Sequence, residues 1–300
     1  MAPSSIYEVG EPVLGPLPKL AANDRGSDWL EDYDGLFVTS RLNMLEGSLQ
    51  TTVAAILRGA DIPENLSSDW TYPLRAALDE LPALQAKEIG TCFQKTCCPL
   101  SRGWHMDFKD PDSELYFGIN RPEAFEPLCC WPVVFLKSQR ISMGDRNGKL
   151  LARAFEPVGC FQACWTRTYV ILDQDHKHIL TLKASDCGTQ YGCNFCAPSF
   201  INESYDVEVY SPEGEYINTS SFVYPGFTCG TQTDRSNLVV RFPPSLNGAG
   251  RAGLLGGLML VEYTAMEMIR LRSFSSGAST GGFGKPVPGG GAPTCNEMER

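Results

Sequence analysis

Two pairs of cysteines are the residues in this chain best able to hold a metal. Cys160-x3-Cys164 and Cys193-x2-Cys196, with Cys187 between them, have the look of a four-thiolate zinc site split over two turns. The loose inner spacing leaves a second reading open, in which these thiols are buried or line turns. The adjacent Cys129 and Cys130 cannot readily ligate one ion together, so acylation or burial suits them better. Twelve cysteines are present in all, and without a visible secretory leader such clusters point to metal, acylation or burial rather than to disulfides. His176-x-His178 could form a metal pair on one side of a strand, but it follows the turn residues Asp173-Gln174-Asp175, so exposed turn histidines are the simpler reading. No G-x-S-x-G, P-loop or H-E-x-x-H pattern occurs, and a non-enzymatic protein is expected.

The formal net charge of −10 argues against nucleic acid, whose binders neutralise phosphates with clustered Lys and Arg. It also weakens purely electrostatic docking to anionic lipid. Burial of apolar groups or an acyl chain would have to supply much of any membrane attraction. Residues 1–26 lack an apolar signal core, and neither a Met-Gly start nor a C-terminal CaaX box is present, so a cytosol-facing protein is expected. Gly and Pro crowd residues 11–20 and 277–293. These segments read as arms that resist ordering. The expected organisation is an arm over 1–27, one domain over 28–275 and a Gly/Pro-rich tail over 276–300, the arms being the expected contacts for protein partners.

Several elements must position these residues. Gly35 to Thr39 reads as a short β run. After it, Leu42, Leu45, Leu49, Val53 and Ile56-Leu57 recur at three- and four-residue steps, predicting an N-terminal helical segment in the middle of 28–58. Residues 61–86 read as a helical insertion, with Ser68 or Asp69 as the cap and Leu74, Ala77, Leu78 and Leu81 at helical spacing. From Lys87 onward the period falls to two. Strands are expected at 104–108, 115–119, 132–136, 139–143, 150–155, 168–173, 178–183, 205–210, 216–222 and 238–242. Turn sequences such as Asp145-Arg146-Asn147-Gly148 and Ser211-Pro212-Glu213-Gly214 lie between them. Hairpins at this spacing indicate an antiparallel sandwich or barrel.

Residues 250–271 then read as a helix apolar on nearly every side, with Gly253, Gly256 and Gly257 for close approach. A membrane span needs about 20 apolar residues. Here the apolar run ends at Glu262, with Glu267 and Arg270 beyond, so a helix buried inside the protein is the better account.

Hairpins ended by one apolar helix resemble the tubby-like fold, in which an antiparallel β-barrel encloses that helix. Over residues 34–272 the chain also resembles the phospholipid scramblase family. Asp34-Gly35-Leu36-Phe37-Val38 and Leu42-Asn43-Met44-Leu45-Glu46 are similar to its opening stretch. Cys92-Phe93-Gln94-Lys95-Thr96-Cys97-Cys98 through Arg102 is similar to its C-x-R-x-C-C-G-x-x-R turn, and Arg121-Pro122 followed by Cys129-Cys130-Trp131-Pro132 to its R-P … C-C-x-P segment. Thr233-Asp234-Arg235-Ser236-Asn237-Leu238-Val239-Val240-Arg241-Phe242-Pro243 aligns without gaps to the family's T-D-A-D-x-F-x-x-x-F-P loop.

The resemblance implies a mostly β, membrane-associated protein that moves or binds phospholipid. It also implies a degenerate calcium loop at Asp234, Ser236 and Asn237. Ca²⁺ wants several oxygen ligands; a serine stands at the family's second aspartate and Arg235 adds a positive charge, so the calcium response is expected to be weakened. Cys129 and Cys130 are what remains of the family's acylation run. The alternative is a scaffold subunit that reuses the barrel within a larger protein complex.

Overall fold

In a computed structural model the described residues are 13–18, 27–43, 48–78, 80–90, 103–122, 139–157, 166–185, 198, 203–225 and 234–266. Alternation builds most of the strands. Tyr205, Val207 and Val209 of β11 (Ser204–Tyr210) are buried while Asp206 and Glu208 face outward, as the pleat requires. Trp104, Met106 and Phe108 of β5 (Trp104–Lys109) do the same. The expected hairpin turns are locked by their own side chains. Asp145 Oδ1 accepts the backbone N–H of Asn147 and Lys149, each at 2.8 Å. Gly148 takes the positive φ of 76° that the turn needs.

The remaining strands are β1 (Leu14–Gly15), β2 (Tyr33–Asn43), β3 (Ser48–Leu57), β4 (Leu84–Lys87), β6 (Leu115–Arg121), β7 (Arg140–Asp145), β8 (Leu150–Phe155), β9 (Thr166–Asp173), β10 (His178–Ser185), β12 (Tyr216–Val223) and β13 (Asp234–Arg241). Each of β2 to β13 pairs antiparallel with its neighbour, β13 returns to β2, and the ring closes as a twelve-strand barrel. The short β1 lies beside β4 on the same edge of β3. Closure leaves the barrel without an open sheet edge.

The largest departure from the sequence-based expectation lies at residues 42–57. The predicted helix across Leu42 to Leu57 is the β2–β3 hairpin. Leu49, Val53 and Ala55 belong to the interior core, while Phe37, Ala54 and Ile56 form a second cluster on the outer wall with Leu74 and Leu78. Apolar residues on both faces erase the period of two and mimic helical spacing. The β-branched run Thr51-Thr52-Val53 favours the extended form. Among the described residues the helical structure before it is a 3₁₀ turn, Asp28–Asp32.

The insertion contains the expected helix, α1 (Ser68–Leu78), but its last residues are β4, the strand that closes the barrel against β3. Glu203 Oε2 accepts Ser68 N–H at 2.8 Å and Ser68 Oγ–H at 3.1 Å, setting a negative charge at the α1 N-terminus.

The second helix, α2 (Gly248–Val261), fills the barrel and is buried along nearly its whole length. It ends in a π-helical turn, Glu262–Met266. A Cβ on Gly253 would lie 2.9 Å from Ala152 Cβ, and one on Gly257 would lie 2.8 Å from Leu182 Cδ1, so these glycines let the helix sit against the wall made by β8 to β10. Arg251 fastens its first turns, donating to the carbonyls of Leu246 (3.0 Å), Leu30 (2.8 Å) and Tyr33 (2.6 Å). Among the described residues no helix is long and apolar enough to cross a membrane.

Candidate functional site

Asp234, Ser236 and Asn237 lie in strand β13 rather than in a loop. Register sets Asp234 opposite Arg41, Ser236 opposite Ser40 and Asn237 opposite Thr39, with an irregularity between Asp234 and Ser236. Asn237 is 2% exposed. Its Nδ2 donates to Thr71 Oγ1 of α1 at 3.3 Å, and Thr71 Oγ1 is also within 3.4 Å of Ser67 O and 3.3 Å of Ser68 O. The asparagine thus joins β13 to the helix on the outer wall.

Below it, the interior is polar. Ser40 Oγ lies 3.4 Å from Thr51 Oγ1 and donates to Glu262 Oε2 at 3.5 Å. Tyr263 O–H donates to Glu88 Oε2 at 3.3 Å, and its ring centroid lies 4.4 Å from that of Trp104. Thr264 Oγ1 lies 2.7 Å from the Tyr169 hydroxyl and donates to Leu260 O at 2.6 Å. Burial pushes the Tyr169 hydroxyl well above its ordinary pKa. Each of the first three residues of the π-turn is therefore tied to a different part of the wall. Glu88 and Glu262 bring two buried carboxylates to this end of the barrel, at 2% and 1% exposure. The described residues contain no group of three or more His, Cys, Asp or Glu placed to hold a metal ion.

The cysteines Cys160, Cys164, Cys187, Cys193 and Cys196, and the pair Cys129 and Cys130, lie outside the described residues, as does the strand expected at 132–136. The described strands do fix where their connections attach. The ends at Lys87 and Trp104, Arg121 and Arg140, Phe155 and Thr166, Ser185 and Ser204, and Val223 and Asp234 all belong to the end of the barrel that holds the π-turn. Every cysteine from Cys92 to Cys229 falls in one of those five connections. His176 and His178 sit at the opposite end. His176 takes a positive φ of 63° in its turn, and His178 Nε2 lies 2.9 Å from Thr181 Oγ1.

Sequence reasoning missed Glu88. The signal was present: in Leu84-Gln85-Ala86-Lys87-Glu88 the period of two puts Glu88 on the face of buried Leu84 and Ala86. It also missed the Asn237 contact with Thr71, for which 166 residues of separation leave no local trace.

The family model described as Scramblase matches residues 72–268. Phospholipid scramblase 2 of Bos taurus is 23% identical over 259 residues, a stretch covering 85% of this chain and 75% of that protein. No solved structure matches.

Proposed function

This chain belongs to the scramblase family, and from that premise we propose that it is a membrane-associated protein that engages phospholipid from the outside of its barrel and responds only weakly to calcium. The burial of α2 carries the first part. Leu254, Leu255, Leu258, Met259, Leu260 and Val261 are all at most 1% exposed. Withdrawing the helix would open the apolar barrel lining packed against it to water, and at about 1.5–3 kcal/mol for each side chain so exposed this would cost on the order of 10 kcal/mol, comparable with the whole stability of a domain. A helix that swings out to insert would leave no barrel behind, and contact from the outer surface avoids that cost.

The calcium part rests on chemistry. Asp234 brings a carboxylate, residue 236 is a serine, and the amide nitrogen of Asn237 is engaged by Thr71. That set is poor for a cation that seeks several oxygen ligands. A second reading, a scaffold subunit that has kept the barrel and lost lipid movement, is favoured by the way α1 packs over the outer wall.

Reconstitution of the purified chain in liposomes with labelled lipid, with and without millimolar calcium, tests these readings. Lipid movement that barely changes with calcium is expected. Strong calcium dependence would overturn the weakened response. No movement by protein shown to be vesicle-bound would replace the first reading with the scaffold.

A further inference from the structure

Residues 13–18 form a strap from the edge of β3 to the hairpin end of β6. β1 pairs with β3 through Leu14 opposite Ile56 and Gly15 opposite Ala55, and Leu57 N–H donates to Val13 O at 2.9 Å. β4 pairs only with Gln50 to Val53, so the strap takes the part of the β3 edge that β4 leaves open. Beyond β1 the strap is held by side chains. Tyr33 O–H donates to Pro16 O at 3.0 Å, and Tyr116 O–H donates to Pro18 O at 2.7 Å. Leu17, between the two prolines, packs against the interior core.

The cleft that receives these prolines is aromatic. Trp29 stands edge-on to both tyrosines, its ring centroid 6.3 Å from that of Tyr33 and 5.5 Å from that of Tyr116, and all three side chains are buried. Proline has no backbone N–H, so Pro16 and Pro18 present acceptors alone. The cleft answers with two O–H donors aimed at carbonyls two residues apart. Aromatic walls with donors set for backbone carbonyls are the chemistry by which grooves recognise extended proline segments. The fixed φ of proline also lowers the entropy lost when such a segment is ordered.

Charge adds a second element of recognition. Burial, then the carboxylates Asp110, Glu114 and Asp112, push the Tyr116 hydroxyl up to about 12, so it stays a protonated donor in acidic surroundings. The residue after Pro18, whose carbonyl Tyr116 binds, is Lys19. An acidic rim suits a segment whose second proline is followed by a cation. The strap itself is lightly held. Leu14 is its one buried large side chain, Pro16 is exposed, and Val13, Leu17 and Pro18 are half-buried. A segment with so few buried apolar contacts opens at a free energy far below that of the whole barrel.

We propose that the cleft of Trp29, Tyr33 and Tyr116 is a peptide-recognition site for an extended Pro-ϕ-Pro segment followed by a basic residue (ϕ is apolar), that residues 13–18 are its tethered occupant, and that such a segment of a partner protein displaces them. The site uses neither phospholipid nor calcium and does not rest on the family reading above.

The test is fluorescence anisotropy of a labelled peptide of residues 13–20 titrated with the full chain, as wild type and as L14D/L17D, which expels the strap and leaves the cleft unchanged. Circular dichroism and thermal unfolding establish that each variant is folded. L14D/L17D should bind about tenfold or more tightly than wild type, whose own strap competes for the cleft. Adding Y33F/Y116F to it should weaken binding about tenfold or more, from the loss of two hydrogen bonds. Adding Y216F, on the exposed outer wall, should change binding about twofold or less. Peptides carrying Pro16→Ala with Pro18→Ala, or Lys19→Glu, should each bind about fivefold or more weakly. A folded L14D/L17D that binds no peptide, tyrosine variants that bind as well as their parent, or alanine and glutamate peptides as good as the original would overturn the site. Hydrogen exchange on wild type needs no expelled strap: millimolar unlabelled peptide should speed exchange across residues 13–17, and unchanged exchange would overturn the displacement. A wild-type dimer that L14D/L17D converts to a monomer would overturn the tethered occupant in favour of straps exchanged between two copies.

Discussion

The Nδ2 of Asn237 donates to Thr71 Oγ1 at 3.3 Å, joining the strand that carries the degenerate calcium sequence to the helix packed on the outer wall. A buried hydrogen bond of this kind contributes about 1 kcal/mol net, and leaving a partner unsatisfied costs about 1–3 kcal/mol. Asn237→Ala should therefore lower stability by about 1–3 kcal/mol in urea titration. A double-mutant cycle with Thr71→Val should return a coupling of about 1 kcal/mol. The loss should be the same in calcium and in chelator. If calcium stabilises the wild type and Asn237→Ala abolishes that gain, then the asparagine is a calcium ligand and the weakened response is wrong.

Two glycines of α2, Gly248 at its start and Gly256 in its middle, should respond differently to the same change. A Cβ on Gly248 would meet backbone, with Ser27 O at 2.3 Å and Ser27 C at 2.6 Å. One on Gly256 would meet the Met143 side chain, with Sδ at 2.3 Å. A methionine can rotate away, and alanine gains about 1 kcal/mol in helix propensity over glycine. Gly256→Ala should stay within about 1 kcal/mol of wild type, and Gly248→Ala should lose about 2–3 kcal/mol. Equal losses in chemical denaturation would mean that Met143 is as fixed as the main chain.

Glu156 sets an acid-side pH dependence. Burial pushes its carboxyl above the ordinary value of 4.5, while Arg167 and Arg121 pull it part of the way back. Arg167 Nη1 lies 3.5 Å from Glu156 Oε1. With the folded pKa raised, the native state holds a proton that the unfolded chain has released. The contribution of Glu156 is thus fully present below about 4.5 and is lost as pH rises through the folded pKa. The stability of wild type relative to Glu156→Gln should fall from acidic toward neutral pH. A difference that is flat or rises with pH would show that the arginines outweigh burial.

The hairpins from β5 to β12 were legible because their signals are local. Alternation marks each strand, and turns such as Asp145 to Gly148 close through hydrogen bonds within five residues. The buried character of α2 was legible from apolar residues on every side. The β2–β3 hairpin was not, because α1 covers its outer face and makes Ala54 and Ile56 as buried as Val53 and Ala55. β4 was hidden for a related reason: four residues after a helix show too few periods to separate strand from helix.

What the amino-acid sequence determined by itself was the hairpins from β5 to β12 with their turns, the apolar helix and the order of residues that places the chain among the scramblases. What only the tertiary structure decided was which residues are neighbours across the ring. Arg41, Lys87 and Lys109 are far apart along the chain, yet they share one face because β3 pairs with both β2 and β4, and β4 with β5. Asn237 reaches Thr71 because β13 returns to β2 and α1 crosses the wall there. Alternation and turn chemistry are properties of a few consecutive residues. Register and closure are properties of distant segments that pair only when the whole barrel is complete.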